Sequence, residues 1–400
     1  MCQTGESIGK LKPPTPKPAA IPVALLQQGV RVFIALREHR HAYNSAYVAH
    51  CGSVLSETGE KWPQTRACRP GCGVSLPLKR CAMMSSLVPA LIAFIAAWVA
   101  LIWLRKPGRL PGDPPNQRSL HERTTPRGGG LAIWVGFIAA CVWTLPIRPW
   151  LPPLLMVIAV SVWDDRRGLP VIARLMVQLA AAALWFILDE GSINIAIGLI
   201  AIIWMANLFN FMDGSDGLAA TVAILGFGAY SFASAANGNA DAPLTLALPA
   251  AALPFLFFNW PPAKIFLGDV GAVPLGFLAA VWGISGWQNQ SWPAWFPVLV
   301  FLPFIADATV TLIRRLARGQ RIWEPHRVHF YQKLVQLGLG HRGTLALYAA
   351  LMAGTSLSAM AALLRAPAAG MLLLGLWAVV LTLLYISIDY SWRKSEQHTQ

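Results

Sequence analysis

Charged side chains are scarce in this 400-residue chain, 12% of residues against 56% hydrophobic. Soluble domains carry about 25% charged residues, so the shortage excludes a large soluble core with a charged shell. Acidic residues are the rarer sign, 18 Asp and Glu against 32 Lys and Arg. Cysteine is almost missing from the apolar part. Five of the six (Cys2, Cys51, Cys68, Cys72 and Cys81) precede Met83. Cys68 and Cys72 have no second pair at zinc spacing, which argues against a thiolate metal site. Alternating apolar and polar runs are also missing, which argues against a β-barrel. No secretory apolar segment precedes Leu87.

Long apolar runs are present instead. From Leu87 onward, stretches of about 20 apolar residues recur, enough for a helix to cross about 30 Å of hydrocarbon. The fold class this predicts is all-α, a polytopic integral membrane bundle of about ten to eleven helices. Spans are expected near 86–104, 129–145, 150–163, 171–188, 192–208, 217–235, 243–258, 271–285, 294–313, 343–363 and 368–388. The third is short and flanked by proline, so it is expected to tilt or merge with its neighbour. Residues 1–82 are polar and Pro-rich, and are expected to be disordered or absent, with translation starting at Met83 or Met84. Residues 83–392 then form the membrane domain and 393–400 a polar tail.

Charge orients the spans. With the first inter-span segment in the cytoplasm, the cytoplasmic segments hold nineteen Lys and Arg, and the other side from the first span onward only Arg148 and Arg365. This asymmetry is the positive-inside pattern. It accounts for much of the +14 charge without nucleic acid, and leaves membrane lipids and phosphorylated substrates as partners. The dense polar clusters fall on the same face. They are "DPPNQRSLHERTTPRGGG", "WDDRRGLP", "NLFNFMDGSDG", "NWPPAKIFLGDVGAVPLGF" and "EPHRVHFYQKL".

Five acids, Asp164, Asp165, Asp213, Asp216 and Asp269, come from three of these loops. Any one of them reads equally well as a polar turn. Together on one face they point to a composite site, because carboxylates at membrane depth are costly. Hard oxygen donors of this kind suit Mg2+ or Mn2+, which bind through one or two carboxylates plus substrate phosphates. His326 and His329 flank Arg327 below Arg314, Arg315, Arg318 and Arg321, which reads as an anion platform. The alternative is that this loop is only the positive-inside signal. "RTTPRGGG" ends in Gly128 to Gly130 at the start of a span, which is expected to leave backbone N–H groups free for phosphate.

These motifs resemble those of the polyprenyl-phosphate N-acetylhexosamine-1-phosphate transferases. "NLFNFMDGSDGLA" is similar to their Asn-x-x-Asn-x-x-Asp-Gly-x-Asp-Gly-Leu-Ala signature, and "FLGDVGAVPLGF" and "WDDRRGLP" to two further loops. "PNQRSLHERTTPRGGG" resembles their first cytoplasmic loop and "EPHRVHFYQKL" their last large one. The resemblance spans about residues 84–390 and implies an active site at the cytoplasmic face of a bacterial inner membrane. It implies transfer of a sugar 1-phosphate from a UDP-N-acetylhexosamine to undecaprenyl phosphate, with release of UMP and with Mg2+ or Mn2+ as cofactor. The last loop lacks the three-His pattern of the peptidoglycan branch, and resembles the branch that begins O-antigen and lipopolysaccharide synthesis.

Carried over by resemblance, Asp164, Asp165, Asp269, His326, Arg327 and His329 are the catalytic candidates. Asn207, Asn210, Asp213, Asp216, Arg127 and Gly128 are the substrate-binding ones, and Asp269 and Asp213 the metal ligands. A second copy of the chain is a further candidate partner. Two rivals remain. The CDP-alcohol phosphotransferases need Arg after Asp-Gly-x-x-Ala, and no Arg follows Asp216-Gly217-Leu218-Ala219-Ala220 here. A cation- or proton-coupled transporter needs carboxylates near mid-bilayer. Only Asp307 approaches that depth, and it reads as hydrogen-bonded support for the site.

Overall fold

The computed structural model describes residues 76–114, 124–145, 147–189, 194–239, 241–321 and 326–399. The expectation for the Pro-rich residues 1–82 lies almost wholly outside the described residues. From Val74 onward the chain is one helical unit. Its first helices are α1 (Leu76–Leu104), α2 (Leu131–Trp143), α3 (Leu151–Arg167), α4 (Val171–Asp189), α5 (Ile195–Met212) and α6 (Leu218–Ala236). There follow α7 (Ala242–Asn259), α8 (Asp269–Gln288), α9 (Trp295–Val300), α10 (Leu302–Ala317), α11 (Phe330–Leu334), α12 (Gly340–Arg365) and α13 (Gly370–Thr399).

The protein is an all-α polytopic membrane protein. Among the described residues, 8 helical stretches are long and apolar enough to cross a membrane. Every expected span falls on helix, but two fall on shorter pieces and one runs on past its expected end. The 129–145 span is the 13-residue α2. The 150–163 span is α3, a helix of its own that neither merges nor stays wholly apolar, since it continues into Asp164–Arg167. The 294–313 span breaks at Phe301 between α9 and α10, where Pro303 opens the second piece. Arg148 and Asp241, both expected opposite the cytoplasm, pair at 2.7 Å and so lie at one end of the bundle.

α8 is the central post. Nearly all of its residues are buried, and it packs on α5 and α3. Small residues permit this: a Cβ on Gly276 would lie 2.2 Å from the carbonyl oxygen of Met205. Toward the opposite end from the acidic loops, Phe137, Trp150, Phe227 and Trp282 interlock edge-on and stacked. Such ring pairs add to the packing that must hold helices together where water is absent.

At the end of the bundle that holds the acidic loops, two-residue strands β1 (Gly112–Asp113) and β2 (Thr125–Pro126) pair antiparallel, and Arg127 bridges to Phe266. The chain then zips onto the lead-in to α8. Gly128 and Gly129 donate to Phe266 O at 3.2 and 2.9 Å, and Gly130 donates to Leu267 O at 2.9 Å. The three N–H groups expected to be free for phosphate are therefore engaged inside the protein. The glycines serve close approach instead. A Cβ on Gly130 would meet Gly271 Cα at 2.3 Å and its nitrogen at 2.6 Å. Backbone cannot yield as a side chain can, so Gly130→Ala is expected to cost about 2 kcal/mol or more. Thermal unfolding in detergent should show a lowered Tm, and a wild-type Tm would contradict this packing.

Candidate active site

The last turn of α3 carries Asp164 and Asp165, and the helix closes at Gly168 with a positive φ of 69°. Asp165 reaches across to α8, whose own N-cap, Gly268, has no side chain to offer. Its Oδ1 accepts from Asp269 N at 3.0 Å and its Oδ2 from Val270 N at 2.9 Å. Asp165 is thus the cap of a helix 104 residues further along the chain. Its charge has the sign that a helix N-terminus favours.

Two arginines knit this cap to its neighbours. Arg127 Nε lies 3.0 Å from Asp165 Oδ1, and Arg127 Nη2 pairs closely with Asp269 Oδ1. Arg174 Nη1 lies 3.2 Å from both Asp164 Oδ2 and Asp269 Oδ2. Asp164 Oδ1 accepts from Leu169 N at 2.6 Å. The order Asp165, Arg127, Asp269, Arg174, Asp164 forms a chain of alternating charge. Arg174 is the member that sequence reasoning missed, having counted it only among the positive-inside charges. One signal was available: a cation in the first turn of α4 opposes the helix dipole and so invites an acidic partner.

Burial shapes the protonation of the cluster. It pushes the Asp165 carboxyl up to about 6, with Arg127 pulling the other way. It also raises Asp164, helped by a hydrogen bond with the adjacent Asp269. Burial raises Asp213 well above the usual range, against the pull of Arg127 and of a hydrogen bond from Gly268 N–H. Arg127 is held charged above its ordinary value: burial opposes this, but Asp269, Asp165, Asp113 and Asp213 outweigh it.

The two acids of the Asp-Gly-x-Asp-Gly turn part company. Asp213 joins the cluster through Gly268 and the field of Arg127. Asp216 is built into the turn, where its Oδ2 accepts from Ala263 N at 2.9 Å and its N–H points to His341 Nδ1 at 3.2 Å. Asn259 braces the same turn, accepting from Gly217 N and donating to Ile265 O, both at 2.8 Å. Asn207, expected to line a substrate pocket, gives its amide to Gln178 Oε1 at 2.7 Å and ties α5 to α4. Asn210 lies in the last turn of α5, where its carbonyl accepts from Asp213 N at 3.4 Å.

The basic segment forms the other wall. His326 is half-buried, with its ring 4.8 Å from that of His329. His329 lies deeper, 2% exposed, with Nδ1 3.4 Å from Asp307 Oδ1. Arg315 is buried and donates Nη2 to Arg321 O at 2.8 Å. Its Nε and His326 Nδ1 are buried without an acceptor among the described residues. The wall meets the Asp213 turn where Tyr331 O–H donates to Phe211 O at 3.0 Å.

Burial first, then His329 and Arg315, lower His326 to about 4. It is therefore neutral from about pH 5 upward, and the fixed positive charge of this wall comes from its arginines. NMR titration of ring-labelled histidine should show His326 unprotonated at pH 6. A midpoint near 6.5 would overturn this assignment.

No three His, Cys, Asp or Glu side chains among the described residues are gathered into a protein-only metal cage. Asp164 and Asp269 lie within hydrogen-bond reach of each other. Two adjacent carboxylates fit an ion that takes the rest of its ligands from substrate phosphates.

The model of glycosyl transferase family 4 matches residues 149–286, which hold α3 to α8 and the whole acidic cluster. A probable undecaprenyl-phosphate N-acetylglucosaminyl 1-phosphate transferase of Bacillus subtilis is 27% identical, over 58% of this chain and 71% of its own. A decaprenyl-phosphate N-acetylglucosaminephosphotransferase of Mycolicibacterium smegmatis is 26% identical, over 68% and 79%. A phospho-N-acetylmuramoyl-pentapeptide-transferase of Staphylococcus saprophyticus is also 26% identical, over 62% and 90%. Over residues 149–286 the chain is thus similar to that family, and along more of its length to these polyprenyl-phosphate sugar-phosphate transferases.

Proposed function

We propose that the protein transfers N-acetylhexosamine 1-phosphate from a UDP-sugar to undecaprenyl phosphate, as an early membrane step of envelope polysaccharide synthesis. The observation that carries this is the alternation of Asp165, Arg127, Asp269, Arg174 and Asp164 at one end of the bundle. Such a chain can exchange its internal partners for phosphates and a cation with little change in net charge. Its position on the positive-inside face suits one soluble and one lipid-bound substrate, which can meet only at that boundary.

In this reading a lipid phosphate oxygen attacks the phosphorus that bears the sugar. A new P–O–P bond forms, the bond to the bridging oxygen of the UMP half breaks, and UMP leaves with the electron pair. The phosphate is mostly ionised at neutral pH, so alignment matters more than proton removal. Asp165 has both oxygens committed to backbone N–H groups and serves to fix the start of α8. Asp164 keeps Oδ1 on Leu169 N at 2.6 Å but holds Oδ2 only through the 3.2 Å contact with Arg174, so that oxygen is the better placed to orient the attacking phosphate or accept its proton. Asp164 and Asp269 would hold Mg2+ or Mn2+, with Asp213 close by, and the ion would neutralise charge on the diphosphate. Arg327 and Arg315 would grip diphosphate oxygens, with His326 as a neutral donor.

The names of the relatives favour N-acetylglucosamine over a muramoyl peptide, and O-antigen initiation is the pathway we favour in the bacterial inner membrane. Purified protein, undecaprenyl phosphate, Mg2+ and a panel of UDP-sugars should yield UMP and a lipid-linked sugar phosphate, identified by mass. UMP release without lipid product, or no release with any UDP-sugar, would remove this reading.

A further inference from the structure

Asp307 in α10 is fully buried, yet it is a carboxylate, and three elements converge on it. Its Oδ1 accepts from Phe330 N at 2.9 Å and from Thr311 Oγ1 at 3.3 Å. Its Oδ2 accepts from Tyr331 N at 3.0 Å and from the hydroxyl of Tyr348 on α12. The two backbone donors are the first N–H groups of α11, which runs on into a π-helical turn at Val335–Leu339. His329 and Gln332 form a capping box on the same turn. The carboxylate adds a second cap from outside, with the charge a helix N-terminus prefers.

The held segment has consequences on both sides. Immediately before it come His329, whose Nδ1 lies 3.4 Å from Asp307 Oδ1, and Arg327. Within it, Tyr331 O–H donates to Phe211 O at 3.0 Å. A Cβ on Gly214 would sit 2.2 Å from that hydroxyl, so the turn that carries Asp213 presses directly on Tyr331. One carboxylate therefore sets both the depth of the basic wall and its contact with the acidic turn.

We infer that Asp307 is a positioning residue for the transfer reaction, holding the Arg327–His329 segment in register with the Asp213 turn through the N-terminus of α11 and Tyr331. The inference rests on the reading that Arg327 grips the diphosphate. Asp307 touches no reacting atom and acts through the backbone it caps.

The test compares Asp307→Asn with Tyr348→Phe in the full-length purified protein. Asparagine keeps the shape but sets an amide N–H2 against a backbone N–H. Tyr348→Phe removes one donor and leaves both backbone bonds. Asp307→Asn is expected to lower kcat/KM for the UDP-sugar by about 10- to 100-fold, mainly through KM. Tyr348→Phe should lose less than about 3-fold. Hydrogen exchange should speed up at Phe330 and Tyr331 in Asp307→Asn and stay unchanged in α6. Wild-type kcat/KM, unchanged exchange at those two amides, or a uniform rise in exchange throughout the protein would each overturn the proposal. If Asp307→Asn does not fold, Tyr331→Phe cuts the same linkage at its far end. That variant should raise KM for the UDP-sugar by about 5-fold or more, and a wild-type KM would overturn the proposal equally. If the wild type itself forms no lipid product, the proposed function fails, while the exchange measurement still decides whether Asp307 anchors α11.

Discussion

Asp269→Asn is expected to lower sugar-phosphate transfer by about three orders of magnitude while the protein still inserts and folds. The side chain is 6% exposed and carries two guanidinium partners, Arg127 and Arg174. Removing one partner from a buried charge cluster costs about 3–5 kcal/mol, which is a rate factor of about 10² to 10³·⁵ if it falls on the transition state. Asparagine retains the backbone N–H that Asp165 caps, so the start of α8 should survive and the loss should lie in chemistry rather than folding. A second readout is metal dependence. If Asp269 helps hold the ion, residual activity should need far more Mg2+ than the wild type. A normal rate with an unchanged Mg2+ titration would take Asp269 out of the metal site, and a collapse of Tm would assign it a structural role instead.

Arg327→Ala is expected to lower kcat/KM for the UDP-sugar by about 10- to 100-fold, whereas Arg318→Ala should change it by less than about 2-fold. Charge accounting sets the direction. The diphosphate brings about two negative charges and the lipid phosphate about 1.5 to 2 more, so one divalent ion leaves some uncompensated. His326 is held neutral by burial and does not supply the remainder. Arg327 is half-buried beside His326 and His329, while Arg318 is exposed at the end of α10. An exposed arginine in a high dielectric contributes to topology and little to a distant phosphate. Equal small losses in the two variants would mean that this loop only orients the protein in the membrane.

The sequence by itself determined the helical bundle and the residues to watch. Crossing a membrane is a local property: about 20 apolar residues satisfy it wherever they occur, and Lys and Arg counts in short loops orient the result. Even there, length misled in α2 and α9–α10, because buried helices can be shorter than a span when neighbours cover their ends. The site was legible as a set of residues and not as a set of roles. Nothing local distinguishes Asp213, drawn into the cluster, from Asp216, tied to Ala263 and His341. Gly128 to Gly130 look like a phosphate cradle until Phe266 and Leu267 take their N–H groups. Only the tertiary structure decided that Asp165 caps a helix 104 residues away, that Arg174 closes the charge chain, and that Asp307 holds the basic wall. These roles arise from hydrogen bonds between helix ends that the fold brings together. Such bonds depend on ångström-scale distances between segments far apart in the chain, which hydropathy and spacing along one segment do not encode.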